Sequence, residues 1–209
     1  MLSHPLNVND FDNLLWWEVD MHNLFVADHE IEYDGRQLSP HWIYRQFDLL
    51  GNAVVAFTGP CRVELAEMVD IEDVKASAPI YSPLMLHVIA EFFGVDLHTT
   101  VYRQRLLIVT AKELLESTGS HAVTRRGDDL YLPRGDGSLG KLSVSIATAS
   151  STSTLIHTGF NIDTEGTPVP TVGLRELGVE PQAFAATLLE RYTAEMEDIW
   201  LARCKVRAV

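Results

Sequence analysis

Apolar and polar residues alternate along residues 141–147 and 155–163. Because successive strand residues point to opposite faces, this alternation predicts two strands, each with one apolar face. The small residues of the second face favour a ligand site, and a solvated outer face is the alternative. The predicted apolar face carries Leu142, Val144, Ile146, Ile156, Phe160 and Ile162, and the second face carries Lys141, Ser143, Ser145, Ala147, His157, Gly159, Asn161 and Asp163.

Other segments of the chain predict further elements. Ser82 and Pro83 are a helix-start signal and Gly94 is a stop signal, so the apolar stripe between them predicts a helix. The fold class that follows is α/β (α+β), with a mixed, largely antiparallel sheet and helices packed on it. The predicted strands cover 23–32, 52–58, 63–74 and 127–132, and the predicted helices cover 40–50, 82–93, 102–117 and 181–204.

Topology and domain organisation follow from these elements. Residues 127–163 are expected to form adjacent antiparallel strands, backed by the helices at 40–50, 82–93 and 181–204. The chain shows no internal repeat and no linker long enough to separate two domains, so 1–209 is predicted to be a single domain.

Composition and charge restrict the partners. A hydrophobic content of 46% indicates a globular protein, and the net charge of −13 disfavours nucleic acid. No apolar run has membrane-spanning length, and the first residues lack a secretory signal, so a cytoplasmic location is expected. The expected partner is a small molecule, with no nucleic acid and no membrane, and the oligomeric state is open, with a homodimer included. Cys61 and Cys204 fit no zinc spacing and are expected to be free thiols.

Three motifs between residues 128 and 162 resemble the core of biotin and lipoate protein ligases. They are Asp-Asp-Leu-Tyr-Leu, then Gly-Lys-Leu-Ser-Val-Ser-Ile after a Gly-rich turn, then Ile-His-Thr-Gly-Phe-Asn-Ile. The resemblance implies the fold of these ligases, shared with class II aminoacyl-tRNA synthetases. It implies that Asp129 matches the Asp of the first ligase element and that Lys141 matches the lysine that contacts the acyl-adenylate or the acyl carbonyl. Gly159 and Asn161 would lie in the next strand of the site.

From about residue 24 onward, the chain is similar to an uncharacterised family known as domain of unknown function 366. The motifs that carry this similarity are Tyr-Asp-Gly at 33–35, Gly-Pro-Cys at 59–61, Met-Val-Asp-Ile-Glu-Asp-Val at 68–74, His-Val-Ile-Ala-Glu-Phe-Phe at 87–93, Arg-Gln-Arg-Leu-Leu at 103–107, and residues 141–163. The similarity again implies the ligase-like fold, without an assigned activity.

The chain departs from the ligases at the Gly-rich adenylate loop. Where that loop would fall, residues 58–63 read Thr-Gly-Pro-Cys-Arg-Val, and Pro60 has no backbone N–H to offer a phosphate. The use of ATP is therefore left open, and another acyl or anionic ligand is favoured. Since some acyltransferases of this fold use a thiol, Cys61 is a candidate acyl acceptor, although no base stands beside it in the sequence.

Charged groups supply further candidates. Asp70, Glu72 and Asp73 carry the oxygen ligands that a hard cation such as Mg²⁺ takes, and the alternative is that nearby arginines neutralise them. The side chains of Arg103 and Arg105 would diverge on a helix, whereas on a strand they would align and could hold an anionic group of the ligand.

The two histidines differ in their predicted roles. His87 and Glu91, one turn apart on the predicted 82–93 helix, form a structural pair. His157 faces the predicted site, as a general base or as a core histidine.

Three functions remain open on this basis. The first is a protein that binds a small acyl- or anion-type ligand over the strands of Lys141 and His157; as an enzyme it would be an acyl or cofactor transferase with these two residues as catalytic residues. Its ligand would be bound by Asp129, Ser143, Ser145, Gly159, Asn161, Arg103 and Arg105. The second is a non-catalytic ligand-binding or regulatory protein that retains the fold. The third is a metal-dependent enzyme centred on Asp70, Glu72 and Asp73, with Mg²⁺ as one candidate metal.

Overall fold

A five-stranded mixed sheet lies at the centre of the protein. The computed structural model describes residues 21–76, 80–119 and 122–209, apart from the side chains of Asp73 and Ala76. The strands are β1 (His22–Val26), β2 (Ala53–Val63), β3 (Ile80–Phe93), β4 (Thr124–Arg126), β5 (Asp129–Pro133), β6 (Leu139–Lys141), β7 (Ser143–Ala149) and β8 (Ser153–Asp163). The central sheet has the order β1-β2-β3-β8-β7, and β4-β5-β6 form a second sheet. Only the β1–β2 pair of the central sheet is parallel.

Two long helices cover one face of the central sheet. The helices are α1 (Trp42–Phe47), α2 (Ile71–Ala76), α3 (Leu97–Thr118) and α4 (Pro181–Cys204), and residues Leu65–Glu67 form a 3₁₀ turn. The Asp96 side chain accepts a hydrogen bond from Thr99 N and so caps α3, and Glu180 caps α4 in the same way. None of the helices in the described ranges is long and apolar enough to cross a membrane. The predicted mixed α and β class is confirmed.

The core has two parts, one on each face of the sheet. Alternate residues of β3 separate them: Leu86 and Val88 pack toward α3 and α4, whereas Met85 and Ile89 pack on the opposite face with α1 and the segment that precedes it. The predicted helix over 181–204 has the bounds of α4, and the predicted 102–117 helix starts earlier, at Leu97.

The predicted helix over 82–93 is wrong, because these residues belong to β3, the central strand of the sheet. Residues 85–92 of β3 are buried on both faces, and a strand of this kind carries a continuous apolar run that also fits a helical stripe. Pro83 lies in the irregular stretch between the Gly59–Met85 and Cys61–Ser82 pairs, where the ladder does not require its N–H.

Residues 127–163 do not form one continuous meander, which corrects the predicted topology. β5 and β6 pair in the second sheet, while β7 and β8 pair in the central sheet. The chain changes partners at Leu142, whose N donates to Leu130 O of β5 and whose O accepts from Asn161 N of β8.

Smaller corrections concern the segments around the cavity described below. Residues 63–74, predicted as a strand, leave β2 at Val63 and form the 3₁₀ turn and the start of α2. The strand predicted at 23–32 ends at Val26, and the helix predicted at 40–50 is confined to Trp42–Phe47.

Gly59 allows two stretches of backbone to lie unusually close. The segment after β1 runs beside β2, where Ile31 N donates to Thr58 O and Tyr33 N donates to Pro60 O. A Cβ atom at Gly59 would lie 2.0 Å from Ile31 O, so any side chain there would force the two backbones apart. This contact holds Tyr33 against the central sheet.

We therefore expect Gly59→Ala to lower the free energy of unfolding by about 1–3 kcal/mol, the range of an overpacked interior. Urea unfolding followed by circular dichroism measures the change. Gly135→Ala is the matched control, because a Cβ atom at Gly135 meets no atom within 4 Å. An equal unfolding midpoint for both variants would contradict the close contact at Gly59.

Candidate functional site

A cavity of about 590 Å³ opens on the sheet face opposite α3 and α4. Tyr33, Cys61, Met85 and His157 line it at a buried end, where each of these residues is at most 4% exposed. Lys141 and Asp129 line it at a partly exposed end, with side chains 27% and 22% exposed. Aliphatic side chains also line the cavity, among them Val63, Ile80, Val144 and Ile146.

Two histidines form a hydrogen-bonded chain across three strands at the buried end. His157 of β8 lies 3.1 Å from His87 of β3, between Nε2 and Nδ1. His87 Nε2 lies 3.2 Å from Gly59 O of β2. A carbonyl oxygen can only accept, so His87 Nε2 carries the proton and donates to Gly59 O.

Both rings are held in the neutral state. Burial lowers the pKa of His87 to about 4, and burial followed by the neighbouring His87 lowers the pKa of His157 well below its usual value. Neutral His87 must accept at Nδ1, so His157 Nε2 donates to it and His157 Nδ1 carries a lone pair. His157 is therefore a hydrogen-bond acceptor toward the cavity and a weak base.

Tyr33 lies over this histidine pair. Its ring stacks on His157 with 3.6 Å between centroids and an interplanar angle of 11°. Burial raises the pKa of the Tyr33 hydroxyl, which stays protonated at neutral pH. Within the described ranges, neither the Tyr33 hydroxyl nor His157 Nδ1 forms a hydrogen bond, and no such side-chain atom is fully buried without a partner. Both atoms are therefore open to solvent, and both residues line the cavity.

An ion pair marks the partly exposed end. Lys141 Nζ lies 2.8 Å from Asp129 Oδ2. Burial raises the pKa of Asp129, although Lys141 opposes the shift. Asn161 Nδ2 donates to Lys141 O at 3.1 Å and holds the lysine backbone beside β8. The structure thus brings Lys141, Asp129, Asn161 and His157, all predicted site residues, to one cavity.

Further acidic residues line the cavity besides Asp129. Asp128 also lines it, and its carboxylate accepts from Arg105 at 3.0 Å and from Gln104 at 2.9 Å. Glu67 and Asp70 line the opposite edge. The negative charges of these carboxylates disfavour the binding of an anionic ligand group at Lys141.

Arg103 and Arg105 lie on α3, on the other side of the sheet, and neither lines the cavity. The Arg103 guanidinium lies 4.4 Å from the centre of the Phe92 ring, and Arg105 pairs with Asp128. Because these residues are helical, their side chains diverge and do not form the predicted anion clamp. Within the described residues, neither arginine pairs with Asp70 or Glu72, which corrects the expectation that arginines neutralise this acidic segment.

The predicted polar face of β7 is reversed by the change of strand partner at Leu142. Val144 pairs with Gly159 and Ile146 with His157, so these apolar residues lie on the cavity face. Ser143 accepts a hydrogen bond from Leu130 N. Ser145 borders the cavity, but its hydroxyl bonds Thr158 at 2.8 Å and accepts from Gln104 of α3 at 3.0 Å.

Gly159 makes room for a neighbouring side chain. A Cβ atom there would lie 2.7 Å from Met85 Cε, so Met85 fills the space that was predicted for a ligand. The serines and Gly159 are therefore structural in this site.

The predicted metal residues are not brought together as a cluster. Asp70 precedes α2, where its Oδ1 accepts from Glu72 N at 2.8 Å, and Glu72 is exposed. The side chain of Asp73 lies outside the described part of the chain. No group of three His, Cys, Asp or Glu side chains suited to a metal ion occurs among the described residues.

Cys61 and His87 occupy places that local sequence patterns did not indicate. Burial raises the pKa of Cys61 to about 12, so its thiol is protonated and unreactive at neutral pH. His87 and Glu91 lie on a strand and do not pair with each other. Glu91 instead accepts from His41 N at 2.7 Å and from the Ser153 hydroxyl at 2.6 Å.

Tyr33 is the site residue that the sequence analysis missed. In the sequence its motif, Tyr-Asp-Gly, contributes only to the family similarity, and the contact with His157 joins positions far apart in the chain. Gly59 was the sequence signal that could have indicated this contact, because the missing side chain lets the backbone at Ile31 lie close to β2.

Solved structures similar to this chain include ligases. A biotin protein ligase from Aquifex aeolicus, in complex with biotin and ATP, is 13% identical with a TM-score of 0.52, over 85% of this chain and 71% of that chain. A candidate lipoate protein ligase from Thermoplasma acidophilum with bound lipoic acid is 11% identical with a TM-score of 0.54, over 85% of this chain and 86% of that chain. At this identity the likeness shows the fold alone, and it confirms the predicted biotin/lipoate ligase-like fold.

Nearer relatives establish the family. A protein of unknown function from Pyrococcus horikoshi is 39% identical with a TM-score of 0.84, over 91% of this chain and all of that chain. An uncharacterized protein of Methanocaldococcus jannaschii is 36% identical over 163 residues, which are 75% of this chain and 71% of that protein. Residues 21–207 match the family model described as Domain of unknown function (DUF366), and the chain belongs to that family.

Proposed function

We propose that this protein binds a small acyl compound in the cavity, with the acyl carbonyl oxygen held by the Lys141 ammonium. The observation that carries the proposal is the placement of Lys141 at the partly exposed end of a cavity with aliphatic walls and a neutral buried end. Such a cavity suits a mostly apolar ligand with a few fixed polar groups. The lipoic acid and biotin of the fold neighbours are compounds of this type.

A neutral acyl group fits this site better than a free carboxylate. Lys141 is already paired with Asp129, and Asp128 and Glu67 also line the cavity. A carbonyl oxygen can accept from Lys141 Nζ while the ammonium keeps its contact with Asp129, because an ammonium has three donors. A second carboxylate at the same place would be repelled by these acidic groups.

The geometry favours binding over the covalent steps that the fold could host. The adenylate loop region at 58–63 belongs to β2 and has its backbone engaged with β3 and Tyr33. The thiol of Cys61 is held protonated, and the depressed pKa of His157 makes it a weak general base. A ligand-binding protein of the ligase-like fold is therefore the first candidate, and an acyl transferase is the second.

We expect Lys141→Met to weaken binding of the acyl ligand by about 10–100-fold, the effect of one lost hydrogen bond from a charged donor. Methyl octanoate, octanamide, lipoamide and biotinamide are the probes, screened by thermal shift and measured by calorimetry. The melting temperature should change by no more than about 4 °C, because a partly exposed ion pair contributes roughly 0–1 kcal/mol.

Lys112→Met is the matched control. Lys112 also pairs with a carboxylate, at 2.6 Å from Glu116, but it lies on α3 and does not line the cavity. Binding should be unchanged in this variant. The proposal fails if none of the probes binds, or if both lysine variants bind them like the wild-type protein.

The buried histidine pair predicts a loss of stability at acidic pH. Below pH 6.5 the unfolded chain takes up protons at His87 and His157, whereas the folded protein resists this until its lowered pKa values are reached. Stability is therefore complete above pH 6.5 and falls as the pH drops toward 4. We expect about 2 kcal/mol of loss for each histidine between pH 7.5 and pH 5, measured by urea unfolding.

His87→Gln should remove about half of this pH-dependent loss, since glutamine retains a donor and an acceptor but does not titrate. His98→Gln is the control, because His98 is exposed on α3 and should leave the pH dependence as it is. Equal slopes in all three proteins would show that the buried pair does not govern the acid response.

A further inference from the structure

We propose that the ligand carries an amide-type group at its buried end, whose N–H donates to His157 Nδ1 and whose carbonyl oxygen accepts from the Tyr33 hydroxyl. This inference rests on the proposed function, because it concerns the opposite end of the molecule that Lys141 holds. It assigns the ligand to acyl compounds with a second polar group, such as a carboxamide or a ureido group.

The donor requirement follows from the hydrogen-bond chain. Gly59 O can only accept, which forces His87 to donate from Nε2 and to accept at Nδ1. His157 must then donate from Nε2, which leaves Nδ1 with a lone pair and no proton. The protein thereby fixes the tautomer at the cavity wall, and the ligand group that meets this nitrogen must be a donor.

The acceptor requirement comes from Tyr33. Its ring is fixed by stacking on both histidines, 3.6 Å from His157 and 5.2 Å from His87 between centroids. Its hydroxyl has no hydrogen-bond partner within the described ranges and is held in the protonated form. The stack thus holds a donor and an acceptor on two adjacent rings, and an amide-type group supplies both complementary atoms.

An alkyl end would leave both groups unsatisfied. When a bound methyl group displaces water from His157 Nδ1 and the Tyr33 hydroxyl, each loses a hydrogen bond without replacement. Sites built to bond a polar group reject the analogue that lacks it for this reason. The remaining cavity contacts are aliphatic, so the two polar atoms discriminate among ligands of similar size.

The two ends of the site fix the span of the ligand. Asn161, which holds the Lys141 backbone, and His157 lie four residues apart on β8. Four strand residues extend about 13 Å, so the ligand spans on the order of 10 Å. A chain of about eight carbons, counting the two carbonyl carbons at its ends, matches this distance.

Three neutral esters of one chain length test the inference on the wild-type protein. They are methyl suberamate, dimethyl suberate and methyl octanoate, which share the acyl end and carry an amide, an ester or a methyl group at the other end. Calorimetry should give the tightest binding for the amide, about tenfold tighter than the ester and at least tenfold tighter than the alkyl compound.

Two variants then assign the contacts. His157→Phe keeps a ring under Tyr33 and removes the acceptor, so the amide and the ester should bind alike. Tyr33→Phe keeps the stack and removes only the hydroxyl, so both should weaken by about tenfold while methyl octanoate does not. If His157→Phe does not fold, the affinities of the three esters for the wild-type protein and for Tyr33→Phe still test whether the ligand has an amide-type end.

The outcomes separate this inference from the proposed function. Equal affinities for the three esters, all lost in Lys141→Met, would overturn the amide-type end and leave acyl binding in place. Absence of binding by all three compounds, together with the failure of the acyl probes above, would overturn both. If the amide still binds more tightly than the ester and the alkyl compound in both His157→Phe and Tyr33→Phe, the amide group contacts other residues and the inference is also overturned.

Discussion

The hydrogen-bond chain from His157 through His87 to Gly59 is the interaction on which the site depends. It joins three neighbouring strands at their shared buried face. Gly59 has two roles in it, because its carbonyl fixes the proton on His87 and its missing side chain admits the backbone of Ile31. The same glycine thus determines both where Tyr33 lies and which nitrogen of His157 faces the cavity.

The alternation of residues 155–163 was sufficient to predict the face of β8. His157 and Asn161 lie toward the cavity and Phe160 toward the helices, as period two requires. The resemblance to the ligases located Lys141 and Asp129 at the same cavity. The amphipathic spacing and Pro181 were enough for α4. Local sequence patterns were therefore enough to predict features that are determined within a single strand or helix, such as the face of β8 and the extent of α4.

The predictions that were wrong concern features that depend on contacts between different strands and helices. The run in β3 is buried on both faces, and periodicity cannot distinguish such a strand from a buried helix. The reversed face of β7 results from the partner change at Leu142, which no local spacing indicates. Tyr33 reaches His157 only because a distant glycine permits it. Arg103 and Arg105 were assigned to a ligand because the acidic residue that Arg105 contacts, Asp128, is close only in the folded chain.

The site is assembled from positions spread over most of the sequence, with Tyr33 and Thr171 both lining the cavity and 70 residues between the paired histidines. Contacts of such separation form late, since the intervening chain must first lose its freedom. The cavity is thus absent from partly folded forms, and a ligand that binds there stabilises only the completed sheet. A ligand that bound there would therefore act mainly by slowing unfolding, and it would lengthen the lifetime of the folded state without speeding folding.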